Sequence, residues 1–367
     1  MPDSFEKAIS FIIFIGIGVL LKLKFTSKDE ENGLKKIILL LALPATIFIA
    51  LLKVKLNSNF FLLPVIALGF NVFLYLITPT LLLILDISEK AKNNTARLLI
   101  PSLAPGLSCF PFILEFLGED YLAKAAMADL GNKFFVLFVL YLVAIRWYYK
   151  NQSITKEPSF KKLKLLIKVM LFEPVNLFII AALLLVFSGV SLEDLPKFIA
   201  ETLNRLSYIM TPLILLFIGI AVRLRKNQFF KIFSLLMLRA GLTLFAISIF
   251  MLISKISVKN EILFIISFAL SACSFWPFAH ISSVAAKEKD VFTKNKTFDI
   301  DFALSILALS LPLSVIIILG VLTLGDALIH FENVLMLSFT LIIIGAGKPL
   351  YMWLKNGAQI KKRYSQN

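Results

Sequence analysis

The sequence predicts an all-α polytopic membrane protein of two inverted five-helix repeats, with crossed, proline-broken fourth and ninth helices and one extra C-terminal helix. Three observations predict it: apolar runs of spanning length, a loop-to-loop alternation of basic charge, and prolines at matching places in the two halves. Of the 367 residues, 59% are hydrophobic and 17% charged, where a soluble domain carries about 25% charged residues. A hydrocarbon core about 30 Å thick takes ~20 apolar residues per helix. Runs of that kind fall at 5–24, 34–53, 59–86, 95–117, 121–148, 163–188, 200–224, 229–254, 260–287, 302–325 and 330–354, which makes eleven. The first, "AISFIIFIGIGVLL", has neither the basic leader nor the small-residue cleavage site of a secretory signal and is expected to remain as a full span.

The net charge of +15 is unevenly spread. The loops joining spans 1–2, 3–4, 5–6, 7–8 and 9–10 with the span ends that flank them, together with the C-terminus, hold 27 of the 38 Lys and Arg, and the other loops with their flanking span ends and the N-terminus hold 8. The remaining three, Lys133, Arg239 and Lys348, fall deeper within spans. This asymmetry places the N-terminus outside and the C-terminus in the cytoplasm, with the plasma or bacterial inner membrane as the expected location. The basic charge is thus topological, and no nucleic-acid partner is expected. The stretch "KEPSFKKLKLLIK" suits anionic lipid headgroups.

The longest polar stretch between spans, "YKNQSITKEPSFKK" at 149–162, divides them into five and six. Five is odd, so a second five-helix unit enters the membrane from the opposite side, the inverted plan common among secondary transporters. The expected units are a first repeat at 1–148, a cytoplasmic linker at 149–162, a second repeat at 163–325, and an additional helix with a basic tail at 326–367. Pro44 of the second span and Pro212 of the seventh stand 168 positions apart, and Pro111 of the fourth and Pro277 of the ninth 166 apart.

Within the fourth span the chain reads "SLAPGLSCFP", residues 102–111, directly after Pro101. Proline removes an N–H and clashes with the carbonyl one turn back, so a break here frees carbonyls that lipid cannot satisfy. Such breaks persist where they are buried in protein or line a wet cavity, either as ordinary kinks patched by a neighbouring Ser or Thr or as the two walls of a solute site. Half-helix N-termini then favour anions, and C-termini with freed carbonyls favour cations. Pro105, Ser108, Cys109 and Pro111 in the fourth span, and Ser274, Trp276 and Pro277 in the ninth, are the candidate binding residues. Cys109 and Cys273 sit beside the two breaks, where small side chains admit close backbone approach, and form neither a metal motif nor a disulfide framework.

Ionisable groups inside spans are functional candidates. Asp129 and Lys133 are one helical turn apart and can pair, either neutralising each other or, with Asn132 alongside, exchanging the partner for a proton or substrate. Arg239 can take a carboxylate in two-point fashion or pair with an acid on another helix, such as Glu173. His280, one turn past Pro277, is either a satisfied donor or a group that titrates near neutrality. With only His280 and His330 as histidines and no nucleophile–base motif, neither an enzyme nor a cofactor is expected. Coupling to a proton, to sodium or to neither stays open.

Several segments carry a resemblance: "GLKKIILLLALPATIFIALL", "PFILEFLGEDYLAKAAMADLGNKF", "EPVNLFIIAALLLVFSGVSLEDLP", "IMTPLILLFIGIAVRL" and "WPFAHISSVAAKEKD". From residue 5 to about 325 the chain resembles the auxin efflux carrier family of permeases, which includes the plant PIN carriers and bacterial members. The resemblance implies ten helices in two inverted repeats, unwound at Pro105 and Pro111 and at Pro277, and transport of a small organic anion. The chain departs from that family where a Gly-Asn pair commonly precedes the crossover proline, since "LAPGLSCFP" has no asparagine, and in its eleventh span. The remaining alternatives are a sodium-coupled carrier like the bile-acid symporters and a receptor of the same fold that does not transport. A homodimer is one admissible assembly.

Overall fold

The computed structural model describes residues 3–25, 27–54, 58–152, 160–222, 228–289 and 296–364. Among them every regular element is helical. In hydrocarbon each backbone N–H and C=O must be satisfied within the protein, which a helix does for nearly all of its length. In chain order the main helices are α1 (Asp3–Leu21), α2 (Asp29–Lys53), α3 (Phe60–Ile84), α4 (Lys90–Leu99), α5 (Phe110–Leu117), α6 (Glu119–Asn151) and α7 (Lys164–Leu171). There follow α8 (Pro174–Phe187), α9 (Lys197–Ala221), α10 (Phe229–Ser254), α11 (Lys259–Ala269), α12 (Trp276–Lys289), α13 (Ile300–Ile329) and α14 (Phe331–Tyr364).

Seven of these, α1, α2, α3, α6, α9, α10 and α13, are long and apolar enough to cross a membrane, and α7 with α8, bent by 65°, makes an eighth if taken as one span. Three other intervals expected as spans take a different form. Those at 95–117 and 260–287 are broken near their middles, between α4 and α5 and between α11 and α12, and the apolar part of α14 is the shorter stretch Phe331–Gly347. Residues 153–159 of the expected linker and the side chain of Lys348 lie outside what is described. Large apolar side chains such as Leu76, Leu83 and Ile253 point outward at 69, 81 and 75% exposure. A monomer in water does not present so broad an apolar exterior; with the spanning helices, it makes this a multi-pass membrane protein.

The interior is organised by a few close helix pairs. α1 packs on α9, α2 on α8, α3 on α6, α4 on α13, α6 on α12, and α10 on α14. Three of these seams rest on glycine, the α10–α14 seam through Gly241 and Gly345 and two others more tightly. A Cβ on Gly219 of α9 would fall onto the backbone of α1 at Ile15, and one on Gly131 of α6 would fall onto the Pro64 carbonyl of α3. In lipid, small residues let backbones approach and gain van der Waals contact that no hydrophobic effect supplies.

Two wide turns mark where the ladder is disturbed. In α2 the stretch Ile38–Ala42 is π-helical just ahead of Pro44, whose ring displaces the carbonyl one turn back. In α6 the π-helical stretch is Phe135–Val139, and the Val136 carbonyl within it is 2.9 Å from His280 Nε2.

Candidate functional site

The two broken segments meet, and their freed backbone groups have identifiable partners. At the first break, Pro101 O accepts from Asn71 Nδ2 at 2.7 Å. Leu103 is held at both ends by one amide: its N–H donates to Asn132 Oδ1 at 3.1 Å and its carbonyl accepts from Asn132 Nδ2 at 2.9 Å. At the second break, Ala272 N–H donates to Ser108 Oγ at 3.0 Å, Cys273 N–H to Ser310 Oγ at 3.3 Å, and Ser274 N–H to Ser102 Oγ at 3.0 Å. The breaks bond directly as well, Ala104 N–H to Ala272 O at 2.8 Å. Buried backbone groups are nearly always paired; here the partners are side chains from α3, α6 and α13 and the opposite break.

Arg239 completes this set. Its Nη1 and Nη2 each donate to Ser271 O at 3.0 Å, and Nη2 approaches Ser102 O at 3.4 Å. Ser102 and Ser271 follow the C-termini of α4 and α11, where helix dipoles concentrate negative potential. The guanidinium therefore caps both first half-helices. It does not pair with Glu173, the acid that the sequence offered as one partner.

Glu173 instead joins the lysine of the fifth span. Lys133 Nζ is 3.1 Å from Glu173 Oε2 and 3.6 Å from Asp129 Oδ2, and donates to Asn176 Oδ1 at 2.9 Å. Asp129 Oδ1 accepts from Asn132 Nδ2 at 2.8 Å. One ammonium thus serves two carboxylates, at a site where Asp129 and Lys133 are both buried.

Beside the crossing lies a cavity of about 290 Å³. Its polar wall is Asp129, Asn132, Lys133 and Glu173 with Lys35 of α2; its apolar wall includes Leu39, Leu43, Leu107, Phe110, Val175 and Trp276. Ala104, Pro105 and Gly106 border it from the first break, and Ser274, Phe275 and Trp276 from the second, so the N-terminus of α12 opens onto it. A few polar groups converging in a mostly apolar pocket is the usual build of a small-molecule site.

Of the residues singled out in the sequence, Pro105, Ser274, Trp276, Asp129, Asn132 and Lys133 line this cavity. Ser108, Cys109, Pro111, Pro277 and Arg239 are buried in or against the crossing and do not border it. His280 lies further along α12, bonded to Val136 and edge-on to Tyr141. Three contributors are not among the residues expected from the sequence: Asn71, whose available signal is a lone amide in an apolar run, Asn176, and Lys35, whose charge reads as topological; Glu173 is expected on Arg239 and is found on Lys133 instead.

Fold and site together define a polytopic membrane protein with a polar cavity at the crossing of two broken helices. An uncharacterized transporter of Methanocaldococcus jannaschii is 28% identical to the chain over 225 residues, covering 59% of this chain and 68% of that protein. No family model matches the chain.

Proposed function

We propose that the protein is a secondary transporter that carries a small organic anion across the membrane by alternating access, with the crossover cavity as its binding site. The observation that carries this reading is the pair of broken helices meeting beside a cavity where a helix N-terminus, an amide, two lysines and two carboxylates converge. A helix N-terminus favours a carboxylate, and the apolar wall accepts its carbon body. The archaeal relative's being named a transporter agrees with this.

In this reading the architecture is an inverted repeat of the auxin-carrier type, residues 1–148 against 163–325. Three features support it. Asn71 and Arg239 stand 168 positions apart, as Pro44 and Pro212 do, and each satisfies a carbonyl of its own half's break. Ser102 and Ser271 make the same local turn, each hydroxyl donating to the carbonyl three residues back, Leu99 at 2.6 Å and Phe268 at 2.7 Å. The packing of α1 on α9 corresponds to that of α8 on α2 when the halves are exchanged, as α5 on α13 does to α12 on α6.

Asp129, Lys133 and Glu173 form the coupling set. With all three ionised the group carries one surplus negative charge in a buried place, and a proton taken from one side of the membrane removes it.

The test is solute-driven current from purified protein in proteoliposomes, offered mono- and dicarboxylates including indole acetate, with and without sodium and a pH gradient. A saturable current for one class of carboxylate supports the reading. Silence in that assay and in carboxylate counterflow from folded protein overturns it in favour of a receptor. A current that needs sodium selects the bile-acid-symporter-like alternative.

A further inference from the structure

The cavity holds two lysines whose situations differ. Lys133 is committed to Asp129, Glu173 and Asn176. Lys35 has no carboxylate within ion-pair distance among the described residues; its ammonium lies 4.7 Å from the centre of the Phe275 ring. Phe275 belongs to the second break and borders the cavity. A cation held only against an aromatic face gives up less than one in an ion pair when an anion arrives, and all three of its N–H donors remain available to it.

Lys35 also has a second outlook. An open groove of about 490 Å³ runs along the start of α2, bordered by Asp29, Asn32, Gly33 and Lys36 as well as Lys35, Leu39 and Leu40. Lys35 and Leu39, one turn apart on one face, border both this groove and the crossover cavity. They form the neck between the two. Lys133 has no part in the groove, and the groove's own carboxylate, Asp29, makes no ion pair with Lys35.

We infer that Lys35 is the first carboxylate-binding point of the transport path, a cation at the neck that draws an anion out of the groove and releases it to the crossover. This rests on the anion-carrier reading for its physiological sense, though its electrostatic content does not. Phe275 holds the ammonium in place while no anion is present, and the weakness of that contact allows a carboxylate to displace it. A charge focused in a cleft raises the local concentration of opposite charge and the encounter rate by tenfold or more.

The experiment places a reporter thiol in the neck of the full-length protein. Cys109 and Cys273 are buried, so Leu39→Cys supplies the reactive position, and Asn32→Cys supplies a second one in the groove should the first variant fail to fold. Reaction rates are measured with anionic 2-sulfonatoethyl and cationic 2-(trimethylammonio)ethyl methanethiosulfonate. The expected result is an anionic-to-cationic rate ratio that falls about tenfold on adding Lys35→Gln and is kept with Lys35→Arg. A ratio unchanged by Lys35→Gln overturns the proposal, as does a folded Leu39→Cys that neither reagent reaches. In parallel, Lys35→Gln raises the half-saturating carboxylate concentration in proteoliposomes. If the unmodified protein moves no carboxylate, the anion-carrier reading falls while the thiol ratio still decides the role of Lys35.

Discussion

Arg239 holds the Ser271 carbonyl with both of its terminal nitrogens, each at 3.0 Å. Such a contact secures backbone and leaves less of the guanidinium for a solute. Arg239→Met orphans the buried Ser271 carbonyl and removes the neighbour of Ser102 O, at about 1–3 kcal/mol for each acceptor left unsatisfied. Arg239→Lys, with a single compact ammonium, recovers part of this. Thermal unfolding in detergent checks the order: native, then Lys, then Met. A variant of native stability with weakened carboxylate binding would return Arg239 to the substrate.

Asn132 grips Leu103 by both N–H and carbonyl. Asn132→Asp keeps an acceptor for the N–H, loses the donor for the carbonyl, and sets a second carboxyl beside Asp129. Asn132→Leu loses both bonds. Amide hydrogen exchange should therefore quicken at Leu103 and Ala104 in either variant while the middle of α10 stays protected. Equal exchange in variant and native protein would mean that the break is held elsewhere.

Lys133 stands between two carboxylates, so the substitutions there are unequal. Lys133→Met leaves Asp129 and Glu173 facing each other unpaired and should cost about 3–5 kcal/mol. Adding Glu173→Gln to Lys133→Met recovers a measurable share, which a double-mutant cycle reads as coupling. In transport, Glu173→Gln is expected to flatten the pH dependence more than it lowers the maximal rate. A rate that follows pH as before would move the coupling proton elsewhere.

Ser338 of α14 donates its hydroxyl to Gly241 O at 2.8 Å, and a Cβ on Gly345 would lie 2.8 Å from the backbone nitrogen of Leu238. The last helix is thus seated against the helix that carries Arg239. Gly345→Leu should overpack this seam at about 1–3 kcal/mol and loosen Arg239 from the crossing. The check is exchange at Ser271 and Ala272, which should rise although Gly345 touches neither break.

The breaks were legible because proline and glycine inside an apolar run have few other meanings, and the spanning runs were legible from length alone. What the sequence withheld was the identity of partners. Arg239 answers main-chain carbonyls, and every residue has one, so nothing in the side-chain pattern names Ser271. Glu173 meets Lys133 at the 65° bend between α7 and α8, an angle that periodicity does not encode. Lys35 was hidden by its usefulness as a topological charge: counting lysines by loop assigns a side, and says nothing of whether the ammonium faces water or a ring.

The glycine seams have a mechanical meaning. Where α1 meets α9 at Gly219, and α3 meets α6 at Gly131, backbone touches backbone and there is no side chain to slide over. Each pair therefore travels as a single plank. A bundle jointed in this way is softest where Leu, Ile and Phe side chains that can change rotamer fill the boundary between helices, and stiffest at these two seams.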